Sequence, residues 1–528
     1  MSSPQALRVE LIGGNLVVDG RRTLLVAGEL HNSGASTTIE IARAVGAASD
    51  LGIDTLLAPV SWDLLEPEEG RFDFTLVDAL LRAVRDRGLR WIPLWFGSWK
   101  NGMSTYIPRW VSQDPERFPR LRTSAGRQID ALTPFSGSAR EADARAFAAL
   151  LAHLAAHGSD VVVMVQVQNE IGMLGDARDH SDDADARWSL PVPESVVAAV
   201  STAGTGRLHD ALRASGRTTG TWTELWADEA PEAIMAWAYA EYVQAVASAG
   251  RRHLHVPLFV NAWLDVDPGG AEVALTGGLR AGEYPSGGPL RHTAAIWKAL
   301  APSIDILAPD IYVGDFDRIC SEYRAASGAL LIPEMRCDVE GVGQMFRAVG
   351  EFDAVGVSPF AVDSVPEDDP DRARLIDGFR LLRAVARLRE RHPGARTRGF
   401  VLTPEVPRLS LEIGEALRIE VDGEYRSETF PADPPGFGIL VETGDAWFVI
   451  GRGFGIRWVE GDGSAHRIVE ADELEVAAEG DVILRRLNGD ERGEWLRMPA
   501  LDQRQVGAMP IRQNLRLSGV VRVEVHPA

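Results

Sequence analysis

The sequence predicts an α/β protein: a (β/α)8 barrel followed by an all-β domain. Two observations predict the barrel. Eight short apolar runs recur between residues 23 and 360, and helical periodicity fills the gaps between them. A third predicts the second domain, because from about residue 396 only short strands broken by Gly and Asp follow. A chain of 528 residues also exceeds what one ordinary core organises.

The opening RVELIGGNLVVDGRRTLLVAG alternates around Gly-Gly and Asp-Gly turns and reads as short β-hairpins. The barrel runs are TLLVAG (23–28), IDTLLAPV (53–60), RWIPLWF (90–96), VVVMVQVQ (161–168), HVPLFVN (255–261), DILAPDIY (305–312), ALLIP (329–333) and AVGVSPF (354–360). They are continuously rich in Val, Ile and Leu, as strands of a covered parallel sheet are. TLVDALLRAVRDRG (75–88) and EADARAFAALLAHLAAHG (141–158) repeat apolar residues three and four apart and stop at glycine. The last helical run stops at His392-Pro393-Gly394. Eight such β-then-α units predict a (β/α)8 (TIM) barrel over residues 1–395, with a doubly wound open sheet as the alternative. The connections 97–140 and 171–254 exceed what crossovers need and are expected to build loops over the barrel mouth. Residues 396–528 read as a sandwich or jelly roll. Within them GRGFG (451–455) has no helix after it, so it reads as a hairpin turn rather than a dinucleotide loop.

Acidic residues outnumber basic ones 76 to 54, giving a net charge of −22. That argues against nucleic acid or an anionic membrane as partner. The start, MSSPQALRVELIGG, lacks the pattern of a secretory signal, and no apolar run approaches the ~20 residues of a membrane span. Cys320 and Cys337 are too few for a disulfide framework and are expected as reduced thiols in a cytoplasmic protein.

In such barrels the active site lies at the C-terminal strand ends, and there the runs turn polar or aromatic. In order they deliver Glu29 and His31; Trp62 and Glu66; Trp95, Trp99 and Lys100; Asn169 and Glu170; Asn261 and Trp263; Asp310 and Tyr312; Glu334; and Phe360. VVVMVQVQNEIG is the sharpest case, since an apolar strand ends on an amide and a carboxylate that are costly to bury unpartnered. Glu170 and Glu334 together supply a proton donor and a group for an oxocarbenium-like carbon, as glycoside cleavage needs. Tryptophans offer flat faces to sugar rings. Each residue alone has a bland reading, a cap or ion pair for Glu and a core position for Trp; their coincidence at one face carries the hypothesis. His253 and His255 fall at the wrong strand end for a metal, and DHSDDADAR (179–187) reads as a solvated acidic loop.

These stretches resemble clan A glycoside hydrolases, in particular the bacterial β-galactosidases of family 35. LLVAGELHNS, VSWDLLEPEEGRFDF, VQVQNEIG and LLIPEMRCD carry the likeness, which spans roughly residues 8–390, with a β-rich tail like that of a bacterial subgroup. LWFGSWKNGMSTYIPRWV lacks the Cys-Ala-Glu-Trp that many members use to hold galactose, VGVSPFAVDS departs from the eukaryotic eighth strand, and family 42 is the competing assignment. The resemblance implies a retaining, exo-acting β-galactosidase with Glu170 as acid/base, Glu334 as nucleophile, Asn169 on the sugar 2-hydroxyl and Tyr312 supporting the nucleophile. Glu29, His31, Trp62, Glu66, Trp99, Asn261, Trp263 and Phe360 complete the expected sugar-binding set. No metal or organic cofactor is expected; the partner is a carbohydrate, and a homo-oligomer is expected of this class. The alternatives are the same mechanism on another β-glycoside (a glucoside, arabinoside or plant-wall oligosaccharide) and a carbohydrate-binding protein with a degenerate site.

Overall fold

The computed structural model describes residues 6–267, 278–413, 417–423, 436–444, 446–487, 493–501 and 518–527. Residues 488–492 of the run DVILRRLNGDERG lie outside this set.

Strands β1 (Val9–Ile12), β2 (Asn15–Val18) and β3 (Arg21–Arg22) form the expected antiparallel opening. The barrel follows: β4 (Leu25–Glu29), β5 (Thr55–Ser61), β6 (Arg90–Lys100), then β7 (Arg120–Arg122) and β8 (Gln128–Leu132) as a hairpin outside it. It continues with β9 (Val165–Asn169), β10 (Leu258–Trp263), β11 (Ile306–Ile311), β12 (Leu331–Met335) and β13 (Gly356–Pro359). These eight parallel strands close in the order β4-β5-β6-β9-β10-β11-β12-β13. Each expected run is one of them, and the open-sheet alternative is excluded by the β13–β4 pairing of Gly356 with Leu25.

The helix read from residue 141 begins earlier, at Gly137, because the Ser136 hydroxyl caps it by accepting from the Ala139 N–H at 3.2 Å. The long connections carry the hairpin β7–β8 and four short helices between Asp182 and Trp226. The acidic stretch 179–187 is a helix, Asp182–Trp188, rather than a loop. Its leading residue, Asp179, is buried and accepts from Thr133 Oγ1 and Ser181 Oγ at 2.6 Å each.

Beyond the barrel, β14 (Arg396–Leu402), β15 (Arg408–Ile413), β16 (Leu417–Asp422), β17 (Gly436–Glu442), β18 (Trp447–Arg452) and β19 (Phe454–Glu460) precede β20 (Arg467–Ala477), β21 (Gly480–Arg486), β22 (Leu496–Met498) and β23 (Val520–His526). They form two antiparallel sheets, β14-β17-β18-β23-β20-β21 and β15-β16-β19-β22. Phe400, Leu440, Val449, Ile456 and Trp458 fill the space between them, which makes the region a sandwich. The larger sheet also buries its other face on the barrel. Along β17 the period of two splits the roles: Phe437, Ile439 and Val441 join the barrel core while Leu440 joins the sandwich core. A side chain on Gly350 would meet Gly399 Cα at 2.4 Å, so helix and sheet touch backbone to backbone there.

GRGFG is not a hairpin turn. Gly453, at φ +77°, passes the chain from β18 in one sheet to β19 in the other, and each strand pairs elsewhere. Both cysteines are free thiols, Cys320 buried and Cys337 half-buried. No described helix is long and apolar enough to cross a membrane.

Candidate active site

The C-terminal end of β9 is where the backbone departs from regular strand. Gln168 (φ 63°) and Glu170 (φ 45°) both adopt left-handed conformations that non-glycine residues rarely take, at a cost of roughly 1–3 kcal/mol each. A buried polar network holds them. Gln168 Nε2 donates to Asp143 Oδ2 at 2.6 Å, and its Oε1 accepts the Trp99 N–H at 3.0 Å. Asp143 also accepts from Trp95 Nε1 at 2.8 Å and Ser98 Oγ at 2.6 Å. The Glu170 N–H donates to Asn261 Oδ1 at 3.0 Å. The turn thus aims Asn169 and Glu170 into the barrel mouth.

Glu334, on β12, meets them there. Its Oε1 accepts from Asn169 Nδ2 at 3.0 Å and Asn261 Nδ2 at 3.1 Å, and its Oε2 accepts from the Tyr312 hydroxyl at 3.1 Å. Asn261 Nδ2 also donates to Asp310 Oδ2 at 2.8 Å. Glu170, Asp310 and Glu334 are all buried, and one carboxylate oxygen from each lies within 4.8 Å of the others. Glu29 and Lys100, also buried, share the mouth. Tyr312, Trp263 and Phe360 are half-buried and His31 is exposed; the His31 ring lies 5.7 Å from Phe360.

This crowding sets the electrostatics. Burial, then the Glu334 charge, pushes the Glu170 carboxyl up to about 8, against the opposing pull of Lys100. Burial and the same carboxylate neighbours raise Glu29 and Asp310 well above the usual range. Burial alone would push the Lys100 ammonium down, but the charges of Glu334, Glu170, Glu29 and Asp310 outweigh it and hold it up. The site thus gathers buried carboxyl groups whose hold on a proton is strengthened, which suits acid/base work. Among the described residues, Glu170, Asp310 and Glu334 are the group that could hold a cation. Asn169 and Tyr312 direct hydrogen-bond donors at Glu334, and Asn261 at Glu334 and Asp310.

Three expected sugar contacts are placed elsewhere. Trp62 has no exposed surface; its Nε1 donates to Glu66 Oε2 at 2.8 Å and it packs on Trp95 and Trp110. Glu66 is equally enclosed, its other oxygen accepting the Gly70 N–H at 2.7 Å, so it pins a loop. Trp99 is sealed edge-on between Tyr239 and Tyr242, its Nε1 on Leu132 O at 3.0 Å. A stacking platform needs an open face, and none of these side chains has one. His253 and His255 lie just before β10, at the opposite end from the mouth. Asp310 and Lys100 lay among the strand-end residues but outside the expected binding set, and Asp143 had no sequence signal beyond a carboxylate on an apolar helix face.

Residues 15–228 match the family described as Glycosyl hydrolases family 35, and residues 375–499 match a domain of unknown function, DUF5597. The barrel fold and this match over residues 15–228 support a glycosidase. Within that class the chain resembles the clan A enzymes of family 35, extended by an all-β C-terminal region. Among solved structures, it is similar to the catalytic domain of a β-amylase from Paenibacillus polymyxa (TM-score 0.48, 12% identity, 67% of this chain and 96% of that one). It is also similar to a β-galactosidase from the psychrophilic Marinomonas ef1 (TM-score 0.45, 14% identity, 70% and 60%). An exo-β-1,4-mannosidase from an Opitutaceae bacterium gives a TM-score of 0.42 at 16% identity, over 71% and 62%. The chain therefore spans about three fifths of the length of the last two. No curated protein sequence matches it.

Proposed function

We propose that this protein is an exo-acting, retaining β-galactosidase, with a catalytic unit in residues 1–395 and an accessory unit in 396–528, working in the cytoplasm. Glu334 attacks the anomeric carbon while Glu170 protonates the departing glycosidic oxygen. Glu170 then takes a proton from the water that displaces Glu334 from the glycosyl-enzyme. The observation that carries this reading is the meeting of Glu170 and Glu334 oxygens within 4.8 Å. Retention uses carboxyl groups about 5–5.5 Å apart, whereas inversion needs roughly 6.5–9.5 Å to admit water between them. Asn169 and Tyr312, both donating to Glu334, hold the nucleophile in place.

Recognition of a polyhydroxylated ring is supported by acceptors left waiting. Both carboxyl oxygens of Glu29, Asn169 Oδ1 and Asp310 Oδ1 are buried without a hydrogen-bond partner among the described residues. Sugar hydroxyls would supply the missing donors. Trp263, Tyr312, Phe360 and His31, half-buried or exposed, stand at the same ends of the barrel strands.

The test is hydrolysis of a panel of aryl β-glycosides, with proton NMR of the first-formed sugar. The expected result is preference for the β-galactoside and release of the β anomer. Preference for the β-glucoside or β-arabinoside would move the substrate within the same mechanism; first release of the α anomer would refute retention. Glu334→Gly should abolish turnover with the fold intact by circular dichroism, and retained turnover would remove Glu334 from its role.

A further inference from the structure

The mouth is rich in acceptors and short of donors. Both carboxyl oxygens of Glu29, Asn169 Oδ1 and Asp310 Oδ1 are buried and unpaired among the described residues. The donors beside them are already committed. Asn169 Nδ2 donates to Glu334, Asn261 Nδ2 to Glu334 and Asp310, and the Tyr312 hydroxyl to Glu334. A sugar hydroxyl both donates and accepts, so acceptors satisfy only half of it.

Lys100 can supply the other half. It ends β6 and pairs in register with Asn169 on β9, after an irregularity between Trp95 and Lys100 that lengthens β6 against its neighbour. A tight turn then fixes it. The Lys100 N–H donates to Met103 O at 2.8 Å, the Met103 N–H returns to Lys100 O at 3.0 Å, and the Gly102 N–H reaches Glu170 O at 3.1 Å. Asn101 takes a left-handed φ of 53° to make that turn. The lysine is therefore held by the backbone of the same residue that carries the acid/base carboxyl. It is 5% exposed, and its ammonium lies 5.2 Å from the centre of the Phe96 ring. Among the described residues Nζ makes no hydrogen bond, and no carboxylate oxygen comes within 4.0 Å of it. Glu334, Glu170, Glu29 and Asp310 surround it at longer range. A buried ammonium with three uncommitted hydrogens is costly unless something accepts from it.

We propose that Lys100 is a specificity-determining residue whose ammonium donates to a ring hydroxyl of a neutral sugar, in a mouth that otherwise offers that sugar acceptors. This rests on the reading of the mouth as a glycoside site. Neutrality follows from the charges present. Four carboxyl groups already face one ammonium, and an acidic sugar would bring a further negative charge into the same buried volume. Selection follows from the geometry. A sugar lacking the hydroxyl leaves the ammonium buried and unpaired, whereas a methionine at the same place has nothing to leave unpaired.

The experiment crosses substrate deletions with an enzyme deletion on full-length protein. For wild type and Lys100→Met, kcat/KM is measured on the preferred aryl β-glycoside, on its monodeoxy analogues and on the aryl β-galacturonide. Calorimetry follows binding of galactose and its monodeoxy forms to the same proteins. Removal of one particular hydroxyl should cost wild type about a hundredfold or more and Lys100→Met no more than about tenfold, while the other deletions cost both proteins alike. A general loss in Lys100→Met, through Glu170 or Glu334 or through folding, cancels in these ratios. Deoxygenation penalties equal in the two proteins at every position would overturn the proposal, and so would preference for the galacturonide in wild type. Should Lys100→Met not fold, Lys100→Gln takes its place, and equal penalties overturn the proposal there too. A protein that cleaves no aryl β-glycoside, yet loses one hydroxyl's contribution to galactose binding in Lys100→Met, would refute the hydrolase reading and leave the Lys100 contact standing.

Discussion

At the seam between the helix Arg372–Arg391 and the sandwich, Asp377 is buried against Arg452, whose Nε and Nη2 donate to it at 2.8 and 3.1 Å, with Arg380 Nη2 adding a third bond at 2.6 Å. At the barrel mouth, Glu29, Glu170, Asp310 and Glu334 face a single Lys100. Burial pushes every one of the affected carboxyl groups up. Around Asp377 the bonds and charge of Arg452 and Arg380 reverse that push and hold it below the usual range. Around Glu170 and Asp310 nothing does, and they stay raised. A carboxylate with its own guanidinium is glue between two units; carboxyl groups left short of counter-charge become proton carriers. The second arrangement destabilises the fold, and the strained backbone at Gln168 and Glu170 adds to that cost.

The sharpest way to break the contrast is Glu170→Gln, which removes the proton carrier. It should lower kcat/KM on glycosides with poor leaving groups by roughly 10²–10⁴, with a smaller loss on activated aryl substrates, measured by steady-state kinetics. Next, Asp377→Asn takes the carboxylate charge away from Arg452 in the seam. Chemical denaturation should show a loss of about 3–5 kcal/mol, with little change in the activity of the folded fraction. Third, Gly97→Ala tests the network beneath the mouth, because its Cβ would meet Trp95 Nε1 at 2.3 Å and both Asp143 Oδ1 and Gln168 Nε2 at 2.9 Å. A loss of about 1–3 kcal/mol is expected, together with reduced kcat as Asn169 and Glu170 shift.

The smallest effect is a pH slope. The Glu170 carboxyl lies higher in the folded protein than in the unfolded chain, so its neutral form contributes stability that is complete below the ordinary carboxylate range and lost as pH climbs through about 8. Asp377 runs the other way, contributing above the ordinary range and losing it as pH falls further. Glu170→Gln should therefore gain on the order of 1 kcal/mol over wild type near pH 8 and little near pH 4. Thermal melts at both pH values decide it, and equal differences would remove Glu170 as the source.

The barrel strands could be read because their signal is local: uninterrupted Val, Ile and Leu ending in polar residues, each bounded by turn or helix patterns. Glu170 and Glu334 were legible for the same reason, as carboxylates ending apolar runs. Trp62, Glu66 and Trp99 were misread on that same rule. Proximity to a strand end does not say whether a side chain turns into the mouth or into the loops packed around it; Trp62 and Glu66 bond each other, and Trp99 turns under the loop from Leu132. Gly453 was misread because a turn signal does not state which sheet each flanking strand will join.

The chain alone thus determined the alternation of strands and helices, the switch to an all-β tail, and which strands end in carboxylates, since these follow from backbone preference and hydrophobic period within a few residues of each position. Only the closed barrel decided which carboxyl groups become neighbours. Ring closure puts Glu29, Lys100, Glu170, Asp310 and Glu334, up to 305 positions apart, around one buried volume. Their proton affinities depend on mutual distance and on exclusion of water, and neither is a property of any local stretch of sequence.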